Sequence, residues 1–404
     1  IEQMFLDALT FQSGYNTTLV TIGAILLGMA AGVTGTFLFL RKRALVSDAI
    51  SHATLPGVGL AFIAATMMGW DGRALPVLLL GSALSAFLGL LTVQWLTART
   101  RLSEDAAIGA VLSVFFGFGV VLLTVIQTLN SGRQAGLEGF LLGSTAGMLY
   151  SDAILIAVGG AMVGILVLIL RRPMTMVAFD PSFARASGIN VERIDLAMMG
   201  LVLAVTVVGL KIVGLILIVA LLIIPAVTAR FWTDRSDGVV LGAGLIGGVS
   251  GWVGAALSAS ADGFPTGPII VLTAFAMFAI SLVFAPVRGL VSAWVRHHRF
   301  QRGVHIRQGL LALAQGQPIY EPLTLRLLKQ KGLARADGVA TEDGAARAAR
   351  ALRDEKRWDV ARAMPELELA AARYDGLTQI EEVLTSDQIA GIDMQIGPPK
   401  EVSA

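Results

Sequence analysis

Residues 41 to 62 read RKRALVSDAISHATLPGVGLAF and place Asp48 and His52 four positions apart in a long apolar run. Residues four apart lie on the same face of a helix, so these two side chains can reach one ion. Ionisable groups inside a membrane-spanning run are costly and normally face a bundle interior or a wet pathway. Carboxylate oxygen with imidazole nitrogen suits Mn(II), Fe(II) or Zn(II). We predict a metal-binding pair; a hydrogen bond that only packs helices is the alternative.

The composition indicates a membrane protein. The chain of 404 residues is 55% hydrophobic and only 15% charged, and its mean hydropathy is +0.73. Long apolar runs of this kind are helical, because only helices and closed barrels satisfy the backbone in lipid. We predict an all-α, polytopic membrane protein of about nine transmembrane helices, over residues 17–40, 44–68, 75–98, 106–129, 150–170, 194–210, 213–231, 239–259 and 267–287.

The positive charges predict the orientation of these helices, because short loops rich in Lys and Arg stay in the cytoplasm. One side of the predicted bundle carries only Arg73, Arg133 and Lys211. The other side carries Arg41, Lys42, Arg43, Arg99, Arg101, Arg171, Arg172, Arg185, Arg193, Arg235 and the basic residues after Arg288. We therefore predict that the N-terminus lies outside and the C-terminal part in the cytoplasm. The absence of cysteine leaves oxygen and nitrogen as metal ligands.

The string LRKRALVSDAISHATLPGVGLAF resembles the signature of the membrane subunits of zinc- and manganese-type ABC importers. The matching residues after the basic triplet are Ser47, Asp48, Ser51, His52, Pro56 and Gly57. The resemblance implies that Asp48 and His52 line a translocation pathway where two permease subunits meet. It also implies that Ser51, Pro56 and Gly57, together with Pro225 further along the chain, belong to the pathway or its gate.

The same resemblance implies the surroundings of the protein. It predicts a multi-pass protein of the bacterial cytoplasmic (inner) membrane. Its expected partners are a second permease subunit, identical or paralogous, cytoplasmic ATP-binding subunits and an extracytoplasmic solute-binding protein that delivers metal. No permanently bound cofactor is expected, since Mn(II), Zn(II) or Fe(II) would be cargo.

The loop of residues 171–193 is predicted to contain a short helix. Asp180 can cap its N-terminus, Pro181 suits the first helical position, and Gly188 suits the residue after its end. The pattern F-D-P-x-x-A-x-x-x-G-I resembles the segment of ABC permeases that docks on the ATPase subunit, with matches at Phe179, Asp180, Pro181, Ala184 and Gly188. A plain surface connector is the alternative interpretation.

Further segments carry weaker predictions. Pro225 interrupts a span at mid-length, where a kink is expected. The stretch 209–230 resembles the importer family at Lys211, Gly214, Pro225 and Arg230, and an outer turn matches it at Asp262, Pro265, Thr266 and Gly267. Lys211 is predicted to extend to the membrane interface, Glu104 and Asp105 to stabilise a helix N-terminus, and residues 130–149 to form a re-entrant or interfacial helix.

The composition changes after Arg288, so we divide the chain into a permease domain 1–290, an amphipathic basic linker 291–304 and a cytoplasmic helical extension 305–404. Helices are predicted near 305–315, 321–331, 341–363 and 376–390. The stretches LLKQKGLARADGVATEDGAARAARALRDEKRW and LTQIEEVLTSDQIAGID resemble the winged-helix and dimerisation parts of the iron-dependent repressor family, in a degenerate form. Glu381-Glu382 stands at the family's Glu-His pair and Tyr374 at a histidine. We therefore predict a docking or dimerising role rather than metal sensing or nucleic-acid binding.

These observations predict a permease subunit of an ABC importer for divalent transition metals, with manganese favoured by the resemblance of the extension. No G-x-x-x-x-G-K-[ST] sequence occurs, so the chain is not expected to be an enzyme and needs a separate ATPase. The adjacent His297 and His298 point to different helix faces and, like His305, are not expected to bind metal. Two other functions stay open: a membrane-anchored metal-responsive regulator and an ABC permease for a metal chelate.

Overall fold

The computed structural model describes residues 2–70, 72, 74–128, 150–210, 213–261 and 264–397, and within them the chain is helical. The membrane part contains α1 (Glu2–Leu9), α2 (Gly14–Leu40), α3 (Ala44–Met67), α4 (Leu75–Arg99), α5 (Glu104–Thr128), α6 (Tyr150–Phe179), α7 (Pro181–Ala186), α8 (Val191–Gly209), α9 (Leu215–Arg230), α10 (Ser236–Ala259) and α11 (Thr266–Phe284). The remaining helices are α12 (Leu290–Ala314), α13 (Pro322–Gln330), α14 (Glu342–Ala363), α15 (Glu368–Ala371) and α16 (Ser386–Ile396). Short 3-10 helices occupy Pro365–Leu367 and Ile380–Glu382.

The predicted fold class is confirmed: the protein is a polytopic helical membrane protein. Each predicted span overlaps one helix. Seven helices in the described ranges are long and apolar enough to cross a membrane, namely α2, α3, α4, α5, α6, α10 and α11. The length and composition of α8 and α9 indicate a membrane span less clearly. The apolar part of α9, Leu217–Arg230, is shorter, and α8 carries three charged residues near its start.

Glycines bring α2 and α10 into backbone contact. A Cβ atom built on Gly28 would overlap the carbonyl oxygen of Gly247, and one built on Gly32 would overlap that of Ala243. A Cβ on Gly251 would overlap the carbonyl oxygen of Ala24 in the same way. Small residues permit this approach, and such contacts hold helices together where lipid removes the hydrophobic driving force.

Helix α3 is held between α4 and α5. Gly57 of α3 lies against Gly81 of α4, where a Cβ on Gly57 would overlap the Gly81 carbonyl oxygen. On the α5 side, Leu55 of α3 covers Gly119. Leu55, Val58 and Phe62 are buried in one apolar cluster with Leu75, Leu78, Ile126 and Leu210. The helix that carries Asp48 and His52 is therefore packed on two sides.

Ion pairs gather one set of helix ends, which we call the basic end of the bundle. They are Arg41–Asp195, Arg43–Glu104, Arg171–Asp237 and Arg288–Asp234. These pairs join the α2–α3 turn to α5 and α8, α6 to α10, and the residues after α11 to the α9–α10 turn. Asp195, one of the charged residues near the start of α8, therefore has its partner at this end.

The chain divides into two compact units, the second beginning at Ala293. The predicted linker and the first predicted helix of the extension lie in one helix, α12, which continues through Gly303 without a break. Gly332 follows the end of α13 in the left-handed region with φ +70°. In the second unit Trp358 is fully buried with Ala361, Ile380 and Ile392.

The predicted helix over 376–390 is wrong. The chain instead turns at Asp375, whose carboxylate accepts hydrogen bonds from the backbone N–H of Leu377 and of Thr378 at 2.9 Å each. After the 3-10 helix, α16 begins with a capping box between Thr385 and Gln388. Asp side chains favour such turns over helix interiors, and the T-x-x-Q spacing was the signal that fixes the true helix start.

Candidate metal site

Asp48 and His52 face one another on α3. His52 Nε2 lies 3.3 Å from Asp48 Oδ1, and the side chains are 19% and 39% exposed, respectively. Two ligands of one tetrahedral ion with bonds of 2.0–2.2 Å would lie about 3.3–3.5 Å apart. The two atoms are therefore spaced as they would be if both bound one small divalent cation, and a weak mutual hydrogen bond has the same spacing.

The surroundings of His52 hold its ring in place. The ring meets the ring of Phe116 from α5 edge-on, with centroids 5.0 Å apart and an interplanar angle of 84°. The buried Nδ1 atom has no hydrogen-bond partner. Pro56, inside α3, lacks the N–H that would bond the His52 carbonyl oxygen in a regular helix. His52 therefore has a ring nitrogen without a hydrogen-bond partner and a carbonyl oxygen without the usual backbone N–H donor of a helix.

Among the residues that the structure describes, Asp48 and His52 are the two side chains placed to bind an ion at this site. Within the part of the chain that the structure describes, no group of three or more His, Asp and Glu residues is placed to hold an ion. Ser51 is fully buried and donates its hydroxyl to the Ser47 carbonyl at 2.8 Å, so that hydroxyl proton is already used within α3. A metal held here would need ligands from water or from another chain.

The other predicted pathway residues lie inside helices. Pro56 and Gly57 are buried in α3, and Gly57 is the contact point with α4. Pro225 lies inside α9, where the predicted kink stays a prediction. Lys211, Asp262 and residues 130–149, for which interfacial or turn positions are predicted, lie outside the described residues. Glu104 and Asp105 begin α5 as predicted.

The predicted short helix is present as α7, with both of its predicted ends. Asp180 Oδ1 accepts a hydrogen bond from the backbone N–H of Phe183 at 2.9 Å, and Pro181 takes the first helical position. Gly188 has φ +83° and lies just beyond the helix end. There the N–H of Ile189 reaches the Ala184 carbonyl at 2.9 Å, which is a Schellman ending that favours glycine.

This segment presents two aromatic side chains. Phe179 and Phe183 are 60% and 59% exposed, whereas Ala184 is fully buried in the core. The sequence pattern included Phe179 but missed Phe183, whose signal was a bulky apolar residue inside a capped surface helix. Exposed aromatic residues on a short, well-anchored helix suit contact with another protein.

A comparison with protein families shows which family the chain belongs to. Residues 15–285 match the family model described as the ABC 3 transport family. The chain belongs to the ABC 3 transport family. The match includes Asp48, His52 and the α7 segment, and it ends before α12.

Individual members of the ABC 3 transport family agree with this assignment. The chain is 43% identical over 298 residues to the manganese transport system membrane protein MntC of Bacillus subtilis, covering 74% of this chain and 67% of that protein. It is 37% identical to the zinc transport system membrane protein TroC of Treponema pallidum, covering 71% of this chain and 95% of that protein. The solved structure of PsaBC from Streptococcus pneumoniae in complex with Fab matches with TM-score 0.61 and 29% identity, covering 71% of this chain and 98% of that one.

The second unit lies beyond the ABC 3 match, and two of its residues that stand at metal-binding positions of the repressor family, Tyr374 and Glu381, contact other side chains. The Tyr374 hydroxyl donates to Glu355 at 2.7 Å, and Arg307 binds the same carboxylate oxygen at 2.9 Å. Glu381 pairs with Arg357 at 3.0 Å. Arg307 thus neutralises the carboxylate of Glu355, and Arg357 neutralises that of Glu381.

The pKa values of this network reflect the pairing. Burial and the hydrogen bond to Glu355 raise the pKa of Tyr374 to about 12. Burial opposes ionisation of Glu355, but the hydrogen bonds from Tyr374 and Arg307 lower its pKa. Burial raises the pKa of Asp354, against the attraction of Arg307. The network therefore keeps Glu355 ionised and Tyr374 protonated.

Proposed function

We propose that this chain is the permease subunit of an ABC importer that moves divalent transition metal ions, manganese or zinc foremost, across the cytoplasmic membrane. The single observation that carries the proposal is the Asp48–His52 pair, spaced 3.3 Å apart and partly exposed on a membrane helix. A carboxylate and an imidazole are costly in lipid and suit first-row divalent cations. The names of the similar proteins, a manganese and a zinc transport system membrane protein, support the same cargo.

A second permease chain would complete the site. The face of α5 next to His52 carries Gly109, Ser113 and Gly117 at spacings of four, and a Cβ on either glycine would meet no atom within 4 Å. Small residues on an uncovered helix face permit close helix approach. A partner packed there would bring its own carboxylate and imidazole toward Asp48 and His52. The four ligands would match a tetrahedral site, or an octahedral one completed by water.

The ATP-binding subunit would dock on α7 at the basic end. The chain has no phosphate-binding loop of its own, and Phe179 and Phe183 provide exposed apolar anchors. Placing this end in the cytoplasm follows from the excess of arginine there. The N-terminus then lies outside, where a solute-binding protein would deliver metal, and the extension lies in the cytoplasm.

The decisive experiment is metal uptake into vesicles that contain the full chain with its ATP-binding subunits. We expect Asp48→Ala and His52→Ala each to abolish ATP-dependent accumulation of Mn(II) and Zn(II), because each removes half of the ligands that one chain supplies. Leu168→Ala on α6, at a position that is 54% exposed and lies outside the proposed contact, is the matched control for expression and folding. Unchanged accumulation in both ligand variants at normal expression would refute the proposal.

Cross-linking tests the second chain. Because the chain contains no cysteine, a single Ser113→Cys variant gives one defined thiol on the α5 face. We expect oxidation to join two copies through this residue if the importer is a homodimer. The control is Leu168→Cys on α6, which is 54% exposed and lies outside the proposed contact. Equal cross-linking of both variants would contradict the proposed interface, and cross-linking only to a paralogous permease carrying the same change would indicate a heterodimer.

The extension would act as a docking or dimerising module rather than as a DNA-binding regulator. Its arginines Arg307 and Arg357 are engaged with Glu355, Asp393 and Glu381, so they are not available to neutralise phosphates. Binding of the full chain in nanodiscs to duplex DNA at low and high salt tests this. We expect no salt-dependent affinity; a steep salt dependence would favour the regulator.

A further inference from the structure

The basic triplet Arg41, Lys42 and Arg43 precedes α3. Arg41 and Arg43 make contacts that a role in membrane orientation does not explain. The Arg41 side chain donates to both carboxylate oxygens of Asp195, at 2.9 and 2.6 Å, and to the main-chain carbonyl of Val177 at 3.2 Å. The side chains of Arg41 and Asp195 are only 15% and 16% exposed. One guanidinium nitrogen, Nη2, donates to both carboxylate oxygens and the other, Nη1, donates to the Val177 carbonyl, so the guanidinium fixes the geometry of both partners as well as balancing a charge.

These two partners of Arg41 lie on either side of the docking helix. Val177 is in the last turn of α6, and Asp195 is in the first turns of α8. The residues between them, 178–194, contain α7 and the exposed Phe179 and Phe183. Arg41 therefore joins both ends of the segment on which the ATP-binding subunit would dock.

Arg43 adds a second connection from the same turn. It lies 3.4 Å from Asp195 and 2.9 Å from Glu104 in the first turn of α5. The four side chains of this cluster comprise two cations and two anions, so their charges balance. We call this group, Arg41, Arg43, Glu104 and Asp195, the charge clasp.

The charge clasp is directly connected to α3, the helix that carries Asp48 and His52. Helix α2 ends in a Schellman motif in which Lys42 takes the left-handed position with φ +57°, and the N–H of Arg43 reaches the Leu38 carbonyl at 3.0 Å. Arg43 is the residue before α3, which begins at Ala44 and carries Asp48 in its second turn. Only the four residues 44–47, all in α3, separate Arg43 from Asp48.

We propose that Arg41 and Asp195 are positioning residues for transport: their ion pair passes the movement of the docking segment to α3 and so sets access to Asp48 and His52. This inference rests on the proposed function. A displaced α7 moves Val177 and Asp195, and both contact the guanidinium of Arg41, in the turn that precedes α3. Coupling between sites needs such a contact with two arrangements, which the ATP-bound and ATP-free states would favour differently.

The test uses a double variant, because removing one partner leaves the other charge largely buried and without its shortest ion pair. Arg41→Gln with Asp195→Asn removes both charges and keeps polar side chains of similar size. The matched control is Arg288→Gln with Asp234→Asn, at the basic end, where Asp234 pairs with Arg288 at 2.8 Å and with Arg230 at 3.4 Å. That pair contacts neither α3 nor the 178–194 segment.

Full chains reconstituted with their ATP-binding subunits are assayed for metal uptake and ATP hydrolysis together. In the clasp variant we expect the metal transported per ATP to fall about tenfold, while hydrolysis and the KM for metal stay within about twofold of wild type. The control should keep the wild-type ratio. A wild-type ratio in the clasp variant, or parallel losses of uptake and hydrolysis, would overturn the inference.

A second readout does not depend on metal. Leu45, near the start of α3, is 55% exposed, so Leu45→Cys gives a single thiol whose labelling by maleimide reports the position of this helix. We expect ATP to change the labelling rate in the otherwise wild-type chain and not in the clasp variant. Equal ATP responses in both would overturn the inference. A wild-type chain that responds to ATP without moving metal would refute the proposed cargo and leave the clasp standing.

Discussion

Asp48 and His52 form a mixed pair, one hard oxygen donor and one imidazole nitrogen, with Oδ1 and Nε2 3.3 Å apart. Because imidazole favours zinc and carboxylates suit manganese, the imidazole should control the choice between them. We expect His52→Asp to shift uptake toward manganese, with zinc inhibiting manganese uptake about tenfold less well, a difference of about 1.4 kcal/mol. The measurement is manganese uptake by vesicles at increasing zinc. A variant that transports with unchanged zinc inhibition would show that His52 does not select the metal.

The backbone contact between Gly28 and Gly247 predicts a stability effect. Gly247→Ala places a methyl group where the Gly28 carbonyl oxygen lies, so α2 and α10 must move apart. We expect a loss of about 1–3 kcal/mol, seen as a lower melting temperature in detergent. Gly164→Ala on α6 is the control, because a Cβ there meets no atom within 4 Å. Equal melting temperatures for the two variants would mean that this contact is not tight.

Phe183, which the motif analysis omitted, predicts a docking effect. The side chain is 59% exposed, so Phe183→Ala should leave the permease fold intact while removing apolar contact with the ATP-binding subunit. We expect affinity for that subunit to fall about tenfold, or about 1.4 kcal/mol, in a pull-down titration from detergent. The same titration with Phe179→Ala compares the two aromatics. Unweakened binding in both variants would place docking elsewhere.

The second unit predicts a specific titration. Tyr374 has a pKa raised to about 12, chiefly by burial and by its hydrogen bond to Glu355. A raised pKa means that the folded unit retains the phenol proton, so this contribution to stability is complete below pH 10 and is lost as the pH rises through about 12. Tyrosinate absorbance of the full chain minus that of Tyr374→Phe isolates this residue. A difference curve with its midpoint near 10 would contradict the raised pKa.

Much of the membrane unit could be predicted from local patterns. The lengths of the apolar runs predicted the helices, because lipid permits few alternatives for the backbone. The capped helix α7 was also predictable, since Asp180, Pro181 and Gly188 each have a residue-specific role at a helix end. The placement of Asp48 beside His52 followed from helical periodicity alone.

Contacts between distant segments were not predictable in this way. Nothing near Arg41 in the sequence indicates that its partners are Val177 and Asp195, because the pairing depends on the tertiary arrangement of α2, α6 and α8. The helix predicted over 376–390 failed for a local reason: the hydrogen-bonding side chain of Asp375 outweighed the apolar spacing. The structure of the second unit was also harder to predict, because its ion pairs, such as Arg307 with Glu355, leave no periodic pattern in the sequence.

The α2–α10 contact has a consequence for synthesis. Gly28 leaves the ribosome early, whereas Gly247 lies near the end of the membrane unit, and at ordinary translation speeds the delay between them is roughly 10–45 s. During that interval the glycine face of the first long helix has no protein neighbour from α10 to cover its backbone. Lipid or an insertion factor must cover that face until α10 enters the membrane, so the contact between α2 and α10 forms only late in the synthesis of the membrane unit.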